Sequence, residues 1–120
     1  MKKLSVVLAL TLATGCYYDN EETLYPGSNQ CTVPDQSTYA LHVKPILDLK
    51  CNSCHAGNFA SGNIRLDSHA EVLKYVNNGS LMGSINQESN YSPMPKNAAK
   101  LSACQIQTIQ QWIDTGAGNN

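Results

Sequence analysis

Two cysteines and a histidine stand together in "CNSCH", residues 51–55, and their spacing has chemical content. Residues three apart lie close together on a helical turn, so the thiols of Cys51 and Cys54 can reach two vinyl groups on one edge of a porphyrin. The imidazole of His55 then comes beneath the iron. Cys-x-x-Cys-His is the pattern of covalent haem attachment. On this reading Cys51 and Cys54 carry thioether bonds to one haem c, His55 is the proximal axial ligand, and Asn52 and Ser53 are lightly constrained spacers. Three other chemistries compete for the same residues: a zinc site, a redox dithiol and a plain disulfide. Zinc needs a fourth ligand, and no second Cys/His pair stands at knuckle spacing. A thioredoxin-like dithiol belongs with a βαβ pattern, which is absent.

A second unusual stretch is "SPMPK", residues 92–96, where Met94 is held between Pro93 and Pro95. The prolines fix their own φ and remove backbone donors, which excludes a helix interior or a central strand. Low-spin haem iron takes a sixth ligand. A thioether sulfur is soft and uncharged, and a His/Met pair raises the reduction potential. A proline-bracketed loop loses little entropy on ligation. Met94 is therefore expected as the sixth ligand, the alternative being that it covers a haem edge. Met82, in "NNGSLMGSI", is expected in the core, and His42 and His69 in solvent-facing or capping positions. Arg65 either pairs with a haem propionate through its planar guanidinium or is a solvated surface arginine.

The remaining cysteines belong to the ends of the chain. Lys2 and Lys3 precede an apolar run from Leu4 to Ala13, followed by Thr14 and Gly15, the order of a secretory signal. That run is too short to span a bilayer, which takes about 20 residues. "LATGC" resembles a bacterial lipobox, with Ala13 where Leu is commoner, and makes Cys16 the lipidation candidate; an ordinary signal peptide cut nearby is the alternative. The polar, acidic segment after it reads as a flexible tether. The expected organisation is a signal peptide over 1–15, a lipidated tether over 16–36 and one domain over 37–120. A disulfide between Cys31 and Cys104 would close a loop of about 70 residues, rated at about 4 kcal/mol by chain entropy. A free thiol or an intermolecular bond is the alternative, because connectivity does not follow from sequence. From Cys16 onward there are six basic and nine acidic residues, three of the acids in the tether, and no basic cluster suits nucleic acid.

The elements that must position these groups are helical. A first helix over about 38–49 carries Val43, Ile46 and Leu47 on one face, and Pro45 predicts a kink or a break within it. The Gly- and Asn-rich stretch "AGNFASGNIRL" reads as a loop with Ile64 and Leu66 turned inward. Ser68 and Glu71 predict a capping box opening a second helix, with Val72, Leu73 and Val76 buried and Gly79 ending it. A short helical turn over 81–85 follows. Ser102 and Gln105 cap a last helix whose stripe is Ile106, Ile109, Trp112 and Ile113, ended by Gly116. No strand pattern or repeat appears, so the fold class is all-α, three to four helices wrapped around one prosthetic group.

Taken in order, "VKPIL", "CNSCH", "GNIRLDSHAEV", "NNGSLMGSI", "MP" and "LSACQIQTIQQWIDTGA" resemble the small monohaem class I c-type cytochrome domains. Those called planctomycete-type cytochrome c, and related stand-alone lipoproteins of Bacteroidetes-like bacteria, are the most similar. The resemblance covers residues 39–117. It implies thioether links at Cys51 and Cys54, axial His55 and Met94, and first and last helices crossing near the haem. The interval from His55 to Met94 is short for the class and leaves little room for a distal helix.

The function expected is electron transfer, not catalysis. A haem with both axial positions filled offers no open site for substrate. Redox partner proteins would dock at the exposed haem edge, with Lys50, Lys74, Lys96 and Lys100 as a basic rim. The lipid at Cys16 would hold the domain at a membrane, in the periplasm or on the outer membrane, with surface exposure left open. A peroxidase-like haem enzyme or a gas-sensing module, each with an open sixth position, is the alternative. A surface lipoprotein without cofactor is the outsider.

Overall fold

The computed structural model describes residues 32–120. The expected signal, the lipid candidate Cys16, Cys31 and most of the expected tether lie outside the described residues. Four α-helices make up the architecture: α1 (Lys44–Lys50), α2 (His69–Asn77), α3 (Ser80–Asn86) and α4 (Ala103–Asp114). A π-helical turn, Tyr39–Val43, leads into α1, and a 3-10 turn, Ser61–Asn63, interrupts the loop before α2. Among the described residues there is no strand, and that part of the chain is all-α. Nor is any helix there long and apolar enough to cross a membrane.

Pro45 acts on the turn that precedes it. A prolyl ring donates nothing and clashes with the carbonyl four residues back. The backbone answers by widening: Val43 N–H bonds Thr38 O, five residues back, at 3.2 Å, and α1 then starts with the proline in its first turn. The expected break in the first helix is thus a π turn, a common form of local helix distortion. The first donors of this segment need partners from elsewhere. Asn120 supplies two, its Oδ1 accepting from Tyr39 N–H at 3.0 Å and its backbone oxygen from Ala40 N–H at 2.8 Å. His42 Nδ1 accepts from Thr38 N–H at 3.0 Å, a capping role.

The core joins Tyr39, Val43 and Leu47 to Leu66, Val72, Leu81, Ile85, Leu101, Ile109 and Trp112. Trp112 is fully buried, with its indole N–H donating to Gly118 O at 2.8 Å. The segment at Tyr39 packs against α4, and the ring of Tyr39 meets that of Trp112 at 5.5 Å between centroids. His69 completes an aromatic trio, 4.9 Å from Tyr39 and 5.9 Å from Trp112, and its Nε2 donates to Ala117 O at 2.8 Å. Solvent exposure or capping was expected of His69. It is instead a half-buried bridge from α2 to the chain beyond α4, occupied by that carbonyl.

Helix ends follow the side-chain chemistry in one case fully and in another by half. At α4 Ser102 Oγ accepts from Gln105 N–H at 3.2 Å while Gln105 Oε1 accepts from Ser102 N–H at 3.1 Å, a complete capping box. At α2 Ser68 Oγ accepts from Glu71 N–H at 3.4 Å, but the Glu71 carboxylate turns to Lys74 at 2.7 Å. The nearer cation outcompetes the backbone donor. Both α2 and α3 fit between His55 and Met94, where little room for a distal helix was expected. Gly79 makes this possible, ending α2 and capping α3 in one residue at φ 78°. A positive φ carries no steric penalty for glycine.

Candidate haem-attachment site

The Cys51–His55 turn is built on the end of α1. Leu47 O accepts from both Cys51 N–H (2.8 Å) and Asn52 N–H (2.9 Å), and Cys51 O accepts from both Cys54 N–H (3.0 Å) and His55 N–H (2.9 Å). These bonds continue the helix as one loose turn and bring the three motif residues together. Cys51 and Cys54 are free thiols, the first half-buried and the second exposed. Burial pushes the Cys51 thiol up to about 11, because a thiolate there would lose hydration without gaining a partner. Asn52 is more than a spacer: its amide donates to Asp48 Oδ1 at 2.8 Å, beside the Lys44–Asp48 ion pair.

His55 is held at three points. Its N–H is in the turn, its carbonyl accepts from Leu66 N–H at 2.7 Å, and its Nδ1 lies 3.1 Å from Ile64 O. A carbonyl only accepts, so Nδ1 is the donor, and in the neutral imidazole Nε2 then keeps its lone pair. Iron-binding and zinc-binding histidines are arranged in this way, the second nitrogen donating to a carbonyl or carboxylate that fixes tautomer and ring orientation. The loop that brings Ile64 back is tied again by Asp67. One of its oxygens, Oδ2, accepts from Gly57 N–H at 2.9 Å and from Arg65 at 3.0 Å. The backbone bond first, and the Arg65 guanidinium second, hold the Asp67 carboxyl below its ordinary range.

Arg65 is thus placed beside Asp67, with its Nε shielded from solvent and without a partner. Asn52 Oδ1 and Asp67 Oδ1 are in the same condition. The Tyr39 hydroxyl, in the core, is a fourth such atom; atoms of this kind are uncommon in folded proteins, and the three beside the motif and its loop could each take a bond from a further group or a water. Phe59, in the same loop, is 100% exposed, an apolar surface that a flat apolar group bonded to Cys51 and Cys54 could cover. On these observations the residues fit a covalent haem. Among the described residues no three His, Cys, Asp or Glu side chains converge as ligands. A porphyrin supplies four nitrogens of its own, so two axial side chains suffice.

Met94 belongs to a separate segment. α3 ends at Gln87 with φ 60°, and the chain returns along the helix, with Glu88 N–H bonded to Gly83 O at 2.9 Å and Met94 N–H to Ser84 O at 3.0 Å. Met94 is half-buried and precedes a cis proline peptide. It lines an open depression of about 410 Å³ with Gln87, Pro93, Pro95 and Lys96. Among the described residues no hydrogen bond joins this segment to the motif turn. Met82 packs against the core, as expected of it. Of the basic rim, Lys74 is paired with Glu71 and Lys100 donates to Asn86 O at 2.8 Å. Cys104 is disulfide-bonded, while its expected partner Cys31 lies outside the described residues.

Compared with protein-family models, curated proteins and solved structures, the chain matches none. Function is therefore argued from the site alone. That site has three parts the sequence did not announce: the Ile64 carbonyl, the Asp67 tie and the packing beneath the Met94 segment. The first is a backbone atom, which no residue type marks.

Proposed function

We propose that this protein is a monohaem c-type cytochrome that carries electrons, tethered to a membrane through Cys16. Cys51 and Cys54 hold haem c by thioether bonds, His55 is one axial ligand and Met94 the other, and the domain has the small class I cytochrome fold around that group. The observation that carries the reading is the His55 side chain, whose Nδ1–H donates to Ile64 O and leaves Nε2 to serve as a ligand.

A bound haem supplies reversible one-electron chemistry; the chain's part is to present and tune it. His55 offers a neutral nitrogen whose basicity is raised by the bond to Ile64 O. The Asp67 tie keeps that carbonyl in place. Arg65, with Nε unpartnered, can donate to a propionate. Met94 offers a sulfur that favours the reduced state, and filling the sixth position with it excludes substrate and gas. Exposed Phe59 and Lys50 lie beside the motif turn, where redox partner proteins would dock.

Absorption spectra of haem-loaded protein, wild type and Met94→Ala, test the reading. A ferric far-red charge-transfer band present in the wild type and absent from the variant is the expected result. A wild type that is already high-spin, or that binds carbon monoxide readily, would favour a haem enzyme or gas sensor. Absence of covalent haem would remove all three.

A further inference from the structure

Tyr91 lies against a face of α3 that has no side chains to obstruct it. Gly83 is buried, and a Cβ added there would fall 2.2 Å from Tyr91 Cδ2, 2.4 Å from Cε2 and 2.6 Å from Cγ. One helical turn earlier, a Cβ at Gly79 would lie 3.5 Å from the Tyr91 hydroxyl. The ring is therefore laid lengthwise along the helix, its base on Gly83 and its hydroxyl at Gly79. Residues four apart share a helix face, and two glycines there make a trough as long as a phenol.

The same turn of helix holds the backbone of Met94. Gly83 O accepts from Glu88 N–H, Glu88 O from Tyr91 N–H at 3.0 Å, and Ser84 O from Met94 N–H. Only Ser92 and Pro93 separate the ring from the methionine, and Pro93 has its φ fixed. The ring and the backbone that carries the sulfur are therefore seated on the same turn of helix. We propose that Tyr91 and Gly83 form a lock that positions Met94 and so decides whether the sixth iron position is filled. The inference rests on the axial role assigned to Met94 and adds the residues that control it. The lock touches neither iron nor substrate; its residues are positioning residues.

The test uses the purified full chain, haem-loaded, with two readouts: the ferric far-red band with carbon monoxide binding, and amide hydrogen exchange at Met94 N–H. Tyr91→Ala removes the ring without a clash. It is expected to shift the balance between held and released Met94 about tenfold or more toward release, since truncating a packed aromatic ring is costly. The band should weaken, carbon monoxide should bind, and the Met94 amide should exchange correspondingly faster. Tyr91→Phe keeps the ring and should behave as wild type. Gly83→Ala should act as Tyr91→Ala does, and Gly83→Ala with Tyr91→Ala should be no worse than either alone. Far-UV circular dichroism checks that the helices persist.

If Tyr91→Ala leaves the Met94 amide as protected as in wild type, the lock is overturned, whatever the iron does. Should the amide loosen in a wild-type background that never shows the band, the axial reading fails and the lock stands as a property of the segment. A Tyr91→Phe variant as defective as Tyr91→Ala would also overturn the lock, because the hydroxyl and not the ring would be the holding group.

Discussion

The two segments assigned to the iron are held by different forces. Residues 51–67 are fastened mainly by polar bonds: His55 is tied through its N–H, its carbonyl and its ring, and Asp67 joins Gly57 to Arg65. Residues 87–98 have no side-chain tie of that kind among the described residues and lean on packing, backbone bonds and backbone form: a ring in a glycine trough, bonds from Glu88 N–H to Gly83 O and from Met94 N–H to Ser84 O, and positive φ at Gln87 and Asn97. Polar ties fix direction, since a hydrogen bond weakens steeply as it bends. Packing fixes position while tolerating small displacement. On the proposed reading, a proximal ligand that stays bound suits the first, and a sulfur that can be released from the iron suits the second.

The largest effect should separate the two ends outright. His55→Ala is expected to abolish the low-spin spectrum and to cut the yield of haem-stained protein severely, whereas Met94→Ala should still accumulate with haem attached. Equal yields from both variants would break the distinction. The next effect is confined to haem-free protein. The Cys51 thiol, ordinarily near 9.0, is raised to about 11 by burial, so the folded state keeps a proton that the unfolded state releases. Stability should be intact below pH 9 and fall as pH rises from 9 to 11. The loss is at most about 2.7 kcal/mol, from 1.36 kcal/mol per unit. Urea unfolding across that range checks it, and Cys51→Ala should flatten the slope, leaving the part that the buried Tyr39 phenol adds above pH 10, while Met94→Ala leaves it unchanged.

Asp67 probes the polar side more gently. Its carboxyl titrates below its ordinary 3.8, chiefly through the Gly57 N–H and then Arg65. The stability it provides is therefore present above that value and lost as pH falls through the lower folded one. Asp67→Asn should lower the unfolding midpoint at neutral pH, and the difference from wild type should close in strong acid. A difference independent of pH would mean that the carboxylate's charge plays no part in the tie.

What could be read in the sequence differs between these regions for a physical reason. Side-chain signatures were legible: the Ser102 and Gln105 box, the apolar stripe of α4, the end of α2 at Gly79, and Pro45 as a disturbance of the first helix. Cys51, Cys54 and His55 were legible as a group because their spacing alone brings them together. Backbone partners were not, since Ile64 O and Ser84 O could belong to any residue type. Long-range meetings were equally hidden. Nothing local to His69 announces Ala117, and nothing local to Tyr39 announces Asn120. Glu71 had the right spacing to complete a capping box but chose Lys74, a competition that only the folded geometry decides. The proposed Tyr91 lock did leave a trace, a glycine at the start of α3, another four residues on within it and an aromatic eight residues further, and the fold is needed to show that they meet.

The smallest effect returns to backbone form. Gly57, in the polar segment, has φ +70° with open space where a Cβ would go, so Gly57→Ala there costs only the left-handed conformation, about 1 kcal/mol. Gln87 has φ 60° and is not glycine, and it already bears that cost. Gln87→Gly should recover it, less the roughly 0.5–1 kcal/mol that a glycine loses through its looser unfolded chain, leaving a change near zero. Thermal unfolding of both variants is the measurement. A destabilised Gly57→Ala beside a near-neutral Gln87→Gly is the expected pair of results, the left-handed conformation being a cost at both positions and glycine entropy offsetting it at the second. If Gln87→Gly instead loosened the Met94 amide, the left-handed turn at Gln87 would itself be part of what aims the sulfur.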